Sequence, residues 1–172
     1  MEMLKTYHLF TKILIHTKIP LYGGLHKKIL NFVDTNYEKE KVDKHYSLVN
    51  GMQHHEDFDG KEELDIEINK QCLLLTSQKI INGWLNVIDN KAHNLPHHHQ
   101  NHLQEMSGVY YLSDKNSTIT FTQMGEVFEL VPKQFDLLLF PSGLVHYVFP
   151  SESEEKRISY AFNLTANLKG DR

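Results

Sequence analysis

The order of apolar and polar positions divides the chain into a first part of mixed character and a second part of short, evenly spaced strands. Residues 7–17 are β-branched and aromatic with rough alternation and stop before Ile19-Pro20, which predicts an opening strand. After Gly23-Gly24, the residues Leu25, Ile29, Leu30, Phe32 and Val33 recur at helical spacing with lysines between them, so an amphipathic helix of about three turns is expected. Residues 35–62 are polar and contain the turn pairs Asn50-Gly51 and Asp59-Gly60. They are expected to be the least regular part, with His54-His55-Glu56-Asp57 on a solvated loop near the mouth of any site. A second helix is expected from Glu63 to Gln78, although the alternation Leu64-Asp65-Ile66-Glu67-Ile68 also fits a short strand.

After Asn82-Gly83 the pattern becomes short, β-rich and turn-separated, with strand-like runs at 84–88, the histidine segment, 108–112, 118–122, 126–131, 135–140, 144–149 and 157–164. Seven or eight such strands without intervening helices predict an antiparallel sandwich or barrel, with the two helices packed outside one sheet. The whole chain, 1–172, is expected to be one domain, in which residues 1–82 flank a core at 83–165. In the last run the even positions Ile158, Tyr160, Phe162 and Leu164 are greasy, whereas Arg157, Ser159, Ala161 and Asn163 are polar or small. If the greasy face meets the helices, Arg157 points between the sheets, where a permanent cation calls for an anion such as a small carboxylate. The competing arrangement has Arg157 facing solvent or paired with Glu152, Glu154 or Glu155.

Charge and composition narrow the function mainly by exclusion. A net charge of -4 gives no electrostatic reason to expect a nucleic-acid surface. The single cysteine, Cys72, cannot form an intramolecular disulfide and suits a small buried hydrophobe in a reducing compartment. Met1-Glu2-Met3-Leu4-Lys5 lacks the apolar run of a signal peptide, and no apolar run is long enough to span a bilayer, so a cytoplasmic protein without a membrane partner is expected.

The chemistry is concentrated in Pro96-His97-His98-His99-Gln100-Asn101-His102. In an extended segment His97 and His99 share a face and His98 opposes them. Two neutral imidazoles with a third from His146, placed just beyond the turn Pro141-Ser142-Gly143, would occupy one face of a divalent metal such as Fe(II), Zn or Mn. Trp84, in an apolar strand, is expected to be buried in the core or to line the pocket.

Five motifs in order, Trp84-Leu85-Asn86, His97-His98-His99, Ser107-Gly108-Val109-Tyr110-Tyr111-Leu112, the Phe140 to His146 turn and Arg157-Ile158-Ser159 with Phe162-Asn163, resemble a family of small bacterial and phage proteins in the 2-oxoglutarate/Fe(II)-dependent oxygenase superfamily. The resemblance implies a double-stranded β-helix (cupin-like jelly roll) that holds Fe(II) through His97, His99 and His146. It implies 2-oxoglutarate on the iron with its far carboxylate paired to Arg157 and hydrogen-bonded by Ser159, helped by Tyr110 or Tyr111. It further implies a dioxygenase, most simply a hydroxylase, acting on a small-molecule or peptide substrate, in a fold that admits a homodimer. Two departures stand out. Most of the superfamily has a carboxylate where His99 stands, and Gln100 replaces a proline in a segment about two residues longer than the family's, which leaves His102 or Glu105 open as the second ligand. The alternative class is a metal cupin that uses no keto acid and therefore does not need Arg157: a 2-oxoglutarate-independent dioxygenase, an isomerase or a small-ligand-binding protein.

Overall fold

In the computed structural model, residues 4–9, 12–99, 105–114, 117–150 and 155–166 are described. The chain opens with β1 (Lys5–Leu9) and β2 (Lys12–Lys18), followed by α1 (Gly23–Glu40), β3 (Val42–His45), β4 (Leu48–His54) and α2 (Lys61–Thr76). Eight further strands complete it: β5 (Gln78–Ile88), β6 (His93–His97), β7 (Met106–Tyr111), β8 (Ile119–Gln123), β9 (Glu126–Leu130), β10 (Asp136–Pro141), β11 (Val145–Val148) and β12 (Arg157–Ala166). Every strand pairing among the described residues is antiparallel.

The strands follow the order β1-β2-β10-β7-β12-β5-β4-β6-β11-β8-β9 and curl into a double-stranded β-helix, with β3 attached to β4. The larger sheet runs from β1 to β5 and places β12 near its middle, between β7 and β5. The smaller sheet is built from β6, β11, β8 and β9. Strand β4 belongs to both: its start pairs with β6 and its end with β5. The change of partner falls at Asn50-Gly51, where Asn50 has φ 55 and a Cβ on Gly51 would meet the Val87 carbonyl at 2.6 Å. A sequence pair that reads as a turn is therefore a kink inside a strand, since both requirements, a left-handed residue and no side chain, are the same in the two settings.

Two other expectations are corrected. The opening run is a hairpin of β1 and β2, where the sequence reads as one strand because Phe10-Thr11 carries none of the usual turn residues. Helix α1 runs on to Glu40, adding Tyr37 to the buried series Leu25, Ile29 and Val33. Each of these buried side chains contributes about 1.5–3 kcal/mol by leaving water. In α2 the residues Leu64, Ile68 and Cys72 repeat this four-residue spacing, which selects helix over strand. Both helices cover the outer face of the larger sheet, where Ile158, Tyr160, Phe162 and Leu164 lie in one cluster with them. Burial there pushes the Cys72 thiol up to about 12, consistent with an unreactive buried group. Among the described residues, no helix is long and apolar enough to cross a membrane.

The pair Asn82-Gly83 lies within β5 and does not precede it. A Cβ on Gly83 would fall 2.2 Å from the Tyr160 hydroxyl, which donates to Asp65 on α2 at 2.6 Å and so ties the helix to the sheet. Gly108 is tighter still, since its Cβ would meet Phe162 at 2.2 Å and Leu139 at 2.9 Å. A Gly108→Ala variant is expected to lose about 1–3 kcal/mol through overpacking, read as a lower denaturant midpoint at unchanged slope. An unchanged midpoint would show that Phe162 has room to move.

Candidate metal centre and cavity

Residues that alternate along the strands place one set of side chains on the inner face of each sheet. On β5 that set is Trp84, Asn86 and Ile88; on β12 it is Arg157, Ser159 and Ala161. The register joins them in rows across the larger sheet: Tyr111, Ser159, Asn86 and Gln53 in one, Val109, Ala161 and Trp84 in the next. These rows form one wall of a cavity of about 310 Å³ between the sheets. Ser107, also in the lining, belongs to a polar chain in which its hydroxyl donates to Asn163 at 2.9 Å and meets the Ser142 hydroxyl at 3.0 Å, while Asn163 donates to Asn82 at 2.9 Å.

His97 ends β6 and pairs in register with His146 on β11. His99, two residues on, has its backbone N–H bonded to the Ser142 carbonyl at 2.8 Å, so the turn that presents His146 also holds the histidine segment. One ring nitrogen from each of His97, His99 and His146 lies within 4.8 Å of the others. The Nδ1 atoms of His97 and His146 face the carbonyls of Leu95 at 2.7 Å and Leu144 at 3.0 Å. Carbonyls only accept, so each Nδ1 carries the proton and each Nε2 keeps its lone pair for a metal.

Burial keeps all three rings neutral: it lowers His97, takes His99 down from 6.5 to about 4 and holds His146 well below 6.5, with the neighbouring imidazoles adding to the depression of His99 and His146. The unfolded chain therefore binds more protons than the folded one between about pH 4 and 6.5, so these rings cost nothing above 6.5 and destabilise the fold as pH falls through that window. The metal-free protein is expected to lose denaturant resistance over that interval, and a His99→Gln variant to lose less. Equal slopes in the two proteins would contradict this.

His98 is exposed and stands outside the cluster, as the alternation requires. The exposed Glu105 accepts from Gln78 at 2.8 Å and is not part of the three-histidine cluster, and His102 and Gln100 lie outside the described residues. Arg157 is 3% exposed. It donates to the Ser117 hydroxyl at 3.2 Å and to the Tyr111 hydroxyl at 3.1 Å, and its Nε is buried without a partner. Among the described residues no carboxylate forms an ion pair with it: Glu155 is exposed, and Glu152 and Glu154 fall outside them. Tyr111 and Ser159 line the cavity beside it. Tyr110 points the other way, into the cluster under the helices, with its hydroxyl donating to the Ile19 carbonyl, and so corrects the expectation that left the two tyrosines open.

Trp84, 8% exposed, is both core and lining, packed with its ring 5.6 Å from His99 and 5.4 Å from His55. His55, expected on a loop near the mouth of a site, and Gln53 and Asn94, not legible as site residues, all line the cavity. The first two belong to the stretch that reads as polar loop, and only the strand character of β4 gives Gln53 a fixed direction. Gln53 donates to the Asn86 oxygen at 3.0 Å and faces His45 Nδ1 at 3.1 Å.

A cavity between the sheets of a double-stranded β-helix, lined by three neutral histidines and a buried arginine, defines a candidate metal centre with a buried cation in the same cavity. Residues 114–163 match the family described as "Putative 2OG-Fe(II) oxygenase", and the fold is that of the 2-oxoglutarate/Fe(II) oxygenases. The solved structures include a Pseudomonas putida prolyl-4-hydroxylase, 14% identical over 93% of this chain and 96% of the other, with a TM-score of 0.65. A prolyl hydroxylase from Trichoplax adhaerens, in complex with a hypoxia inducible factor peptide fragment, is 13% identical over 95% and 90%, with a TM-score of 0.68. HygX from Streptomyces hygroscopicus, with nickel and 2-oxoglutarate bound, is 10% identical over 90% and 83%, with a TM-score of 0.69. No curated protein sequence matches the chain.

Proposed function

We propose that the protein is a 2-oxoglutarate- and Fe(II)-dependent oxygenase, most simply a hydroxylase, whose metal ligands are His97, His99 and His146. The observation that carries the reading is Arg157, a permanent cation buried in the same cavity as the three histidines with an unpartnered Nε. Such a cation is costly unless an anion joins it, and the far carboxylate of 2-oxoglutarate is one of the right size. Bound there, iron and keto acid supply the oxidation of a C–H bond by dioxygen, with succinate and carbon dioxide as the other products.

The chain's own part is positioning. Leu95 and Leu144 hold His97 and His146 with Nε2 inward, and three ligands on one face leave the remaining positions open. Tyr111 fixes the guanidinium by accepting from it, and Ser159 adds a hydroxyl within the same row. Val109, Ile119, Phe140 and Ala161 keep the lining dry around them, which strengthens each of these contacts. A donor set of three imidazoles without a carboxylate also suits a metal cupin that uses no keto acid, and Arg157 is what separates the two readings. Anaerobic titration of the Fe(II) protein with 2-oxoglutarate is expected to raise the weak visible charge-transfer band of a chelated keto acid. Absence of the band and of any binding at millimolar keto acid, in protein shown to hold Fe(II), would favour the cupin.

A further inference from the structure

The lining of the cavity contains, among the described residues, no aspartate, glutamate or lysine, and Arg157 is its one formal charge. It also carries three carboxamides: Gln53 on β4, and Asn86 on β5 and Asn94 on β6, the last two each about nine-tenths buried. Asn86 is locked in one sense. Gln53 donates to its oxygen, and the Gln53 oxygen in turn accepts from His45 Nδ1–H, so the Asn86 NH₂ is the end left over. Asn94 makes no side-chain hydrogen bond to a described residue, and neither amide is sealed off as a buried group without a partner. The cavity thus presents a fixed donor from Asn86 and a donor with an acceptor from Asn94.

We propose that the primary substrate is an uncharged molecule or segment bearing a carboxamide or peptide group, bound by Asn86 and Asn94 with Gln53 as the residue that orients Asn86. This rests on the oxygenase reading, because that reading assigns Arg157 to the keto acid. With the arginine engaged, a substrate carboxylate would be buried without a cation and a substrate ammonium would find no carboxylate on the lining. A neutral amide carries both an acceptor for Asn86 and the donor–acceptor pair that complements Asn94. Its pairing takes up donors and an acceptor that otherwise face only the cavity.

The test uses three probes of one size, propionamide, propionate and propylamine, titrated into the Zn(II)-loaded protein saturated with 2-oxoglutarate, which cannot turn over. The readout is the indole N–H resonance of Trp84, the single tryptophan of the chain, which borders the cavity. Propionamide is expected to shift it, with the two charged probes about tenfold weaker or worse, the scale of one unmade buried hydrogen bond. An Asn94→Asp variant, nearly isosteric and checked for an unchanged melting temperature, should reverse the preference towards propylamine. A Gln53→Leu variant should weaken propionamide while leaving 2-oxoglutarate binding intact. Equal response to all three probes, tighter binding of either charged probe by the parent, or no response to propionamide would overturn the proposal. Failure of the oxygenase reading shows separately, as loss of the keto-acid band in the Fe(II) protein. The propionamide and propylamine arms are then run on the Zn(II) protein alone, where the same preference is required.

Discussion

Replacing Arg157 with alanine is expected to give a protein that still takes up one equivalent of Fe(II) but shows no charge-transfer band with 2-oxoglutarate at concentrations that saturate the parent. The guanidinium lies in the cavity with its partners Tyr111 and Ser117 and is not a ligand, so its removal should leave the three imidazoles in place. What disappears is a charge-assisted contact of about 1.5–3 kcal/mol, enlarged by the desolvation of the substrate carboxylate left behind. The expected weakening is therefore about a hundredfold or more. Parallel metal analysis and keto-acid titration of the variant check it, and a band of parent intensity would remove Arg157 from the site.

Replacement of His146 by alanine should abolish stoichiometric metal binding, and the same holds for His97 and His99, whereas a His98→Ala variant should keep about one metal per chain. His146 is 5% exposed and lies against His97 and His99, with ring centroids at 4.3 and 5.1 Å. With it gone, two imidazoles remain on one short segment, a much weaker site for a divalent ion. Elemental analysis after desalting gives the answer. Retained stoichiometry in the His146 variant would move the metal elsewhere, with His102 the first alternative to test.

How much of this could be seen in the sequence depended on whether a residue's direction was set by local alternation or by distant partners. The parity of β12 set Arg157 and Ser159 on one face and Tyr160 and Phe162 on the other, because a strand buried on both faces still alternates between two unlike environments; that the first face looks inward followed only once the helices covered the second. The same rule placed His97 and His99 together. Tyr110 and Tyr111 defeated it, since both faces of β7 accept a tyrosine and only the Ile19 carbonyl and Arg157 distinguish them. Gln53 was hidden for a different reason. Its strand, β4, is kinked at Asn50-Gly51 and paired half to one sheet and half to the other, so no stretch of it shows a clean period. Gly83 reads as a break because nothing nearby announces that Tyr160, 77 positions later, needs the space above it.

The place of β12 between β5 and β7 also orders events in time. Until it is inserted, those two strands have unpaired edges and the larger sheet is split in two. Pairing β12 with β5 closes a loop of roughly 70 residues, a non-local step of the kind that makes β-rich chains fold in milliseconds to seconds. The histidines all precede β12 along the chain, on β6, just after it, and on β11. On the proposed assignment, a chain still lacking that strand gathers its imidazoles before it owns the arginine, so Fe(II) present early in refolding is expected to change the folding rate, whereas 2-oxoglutarate present early is not.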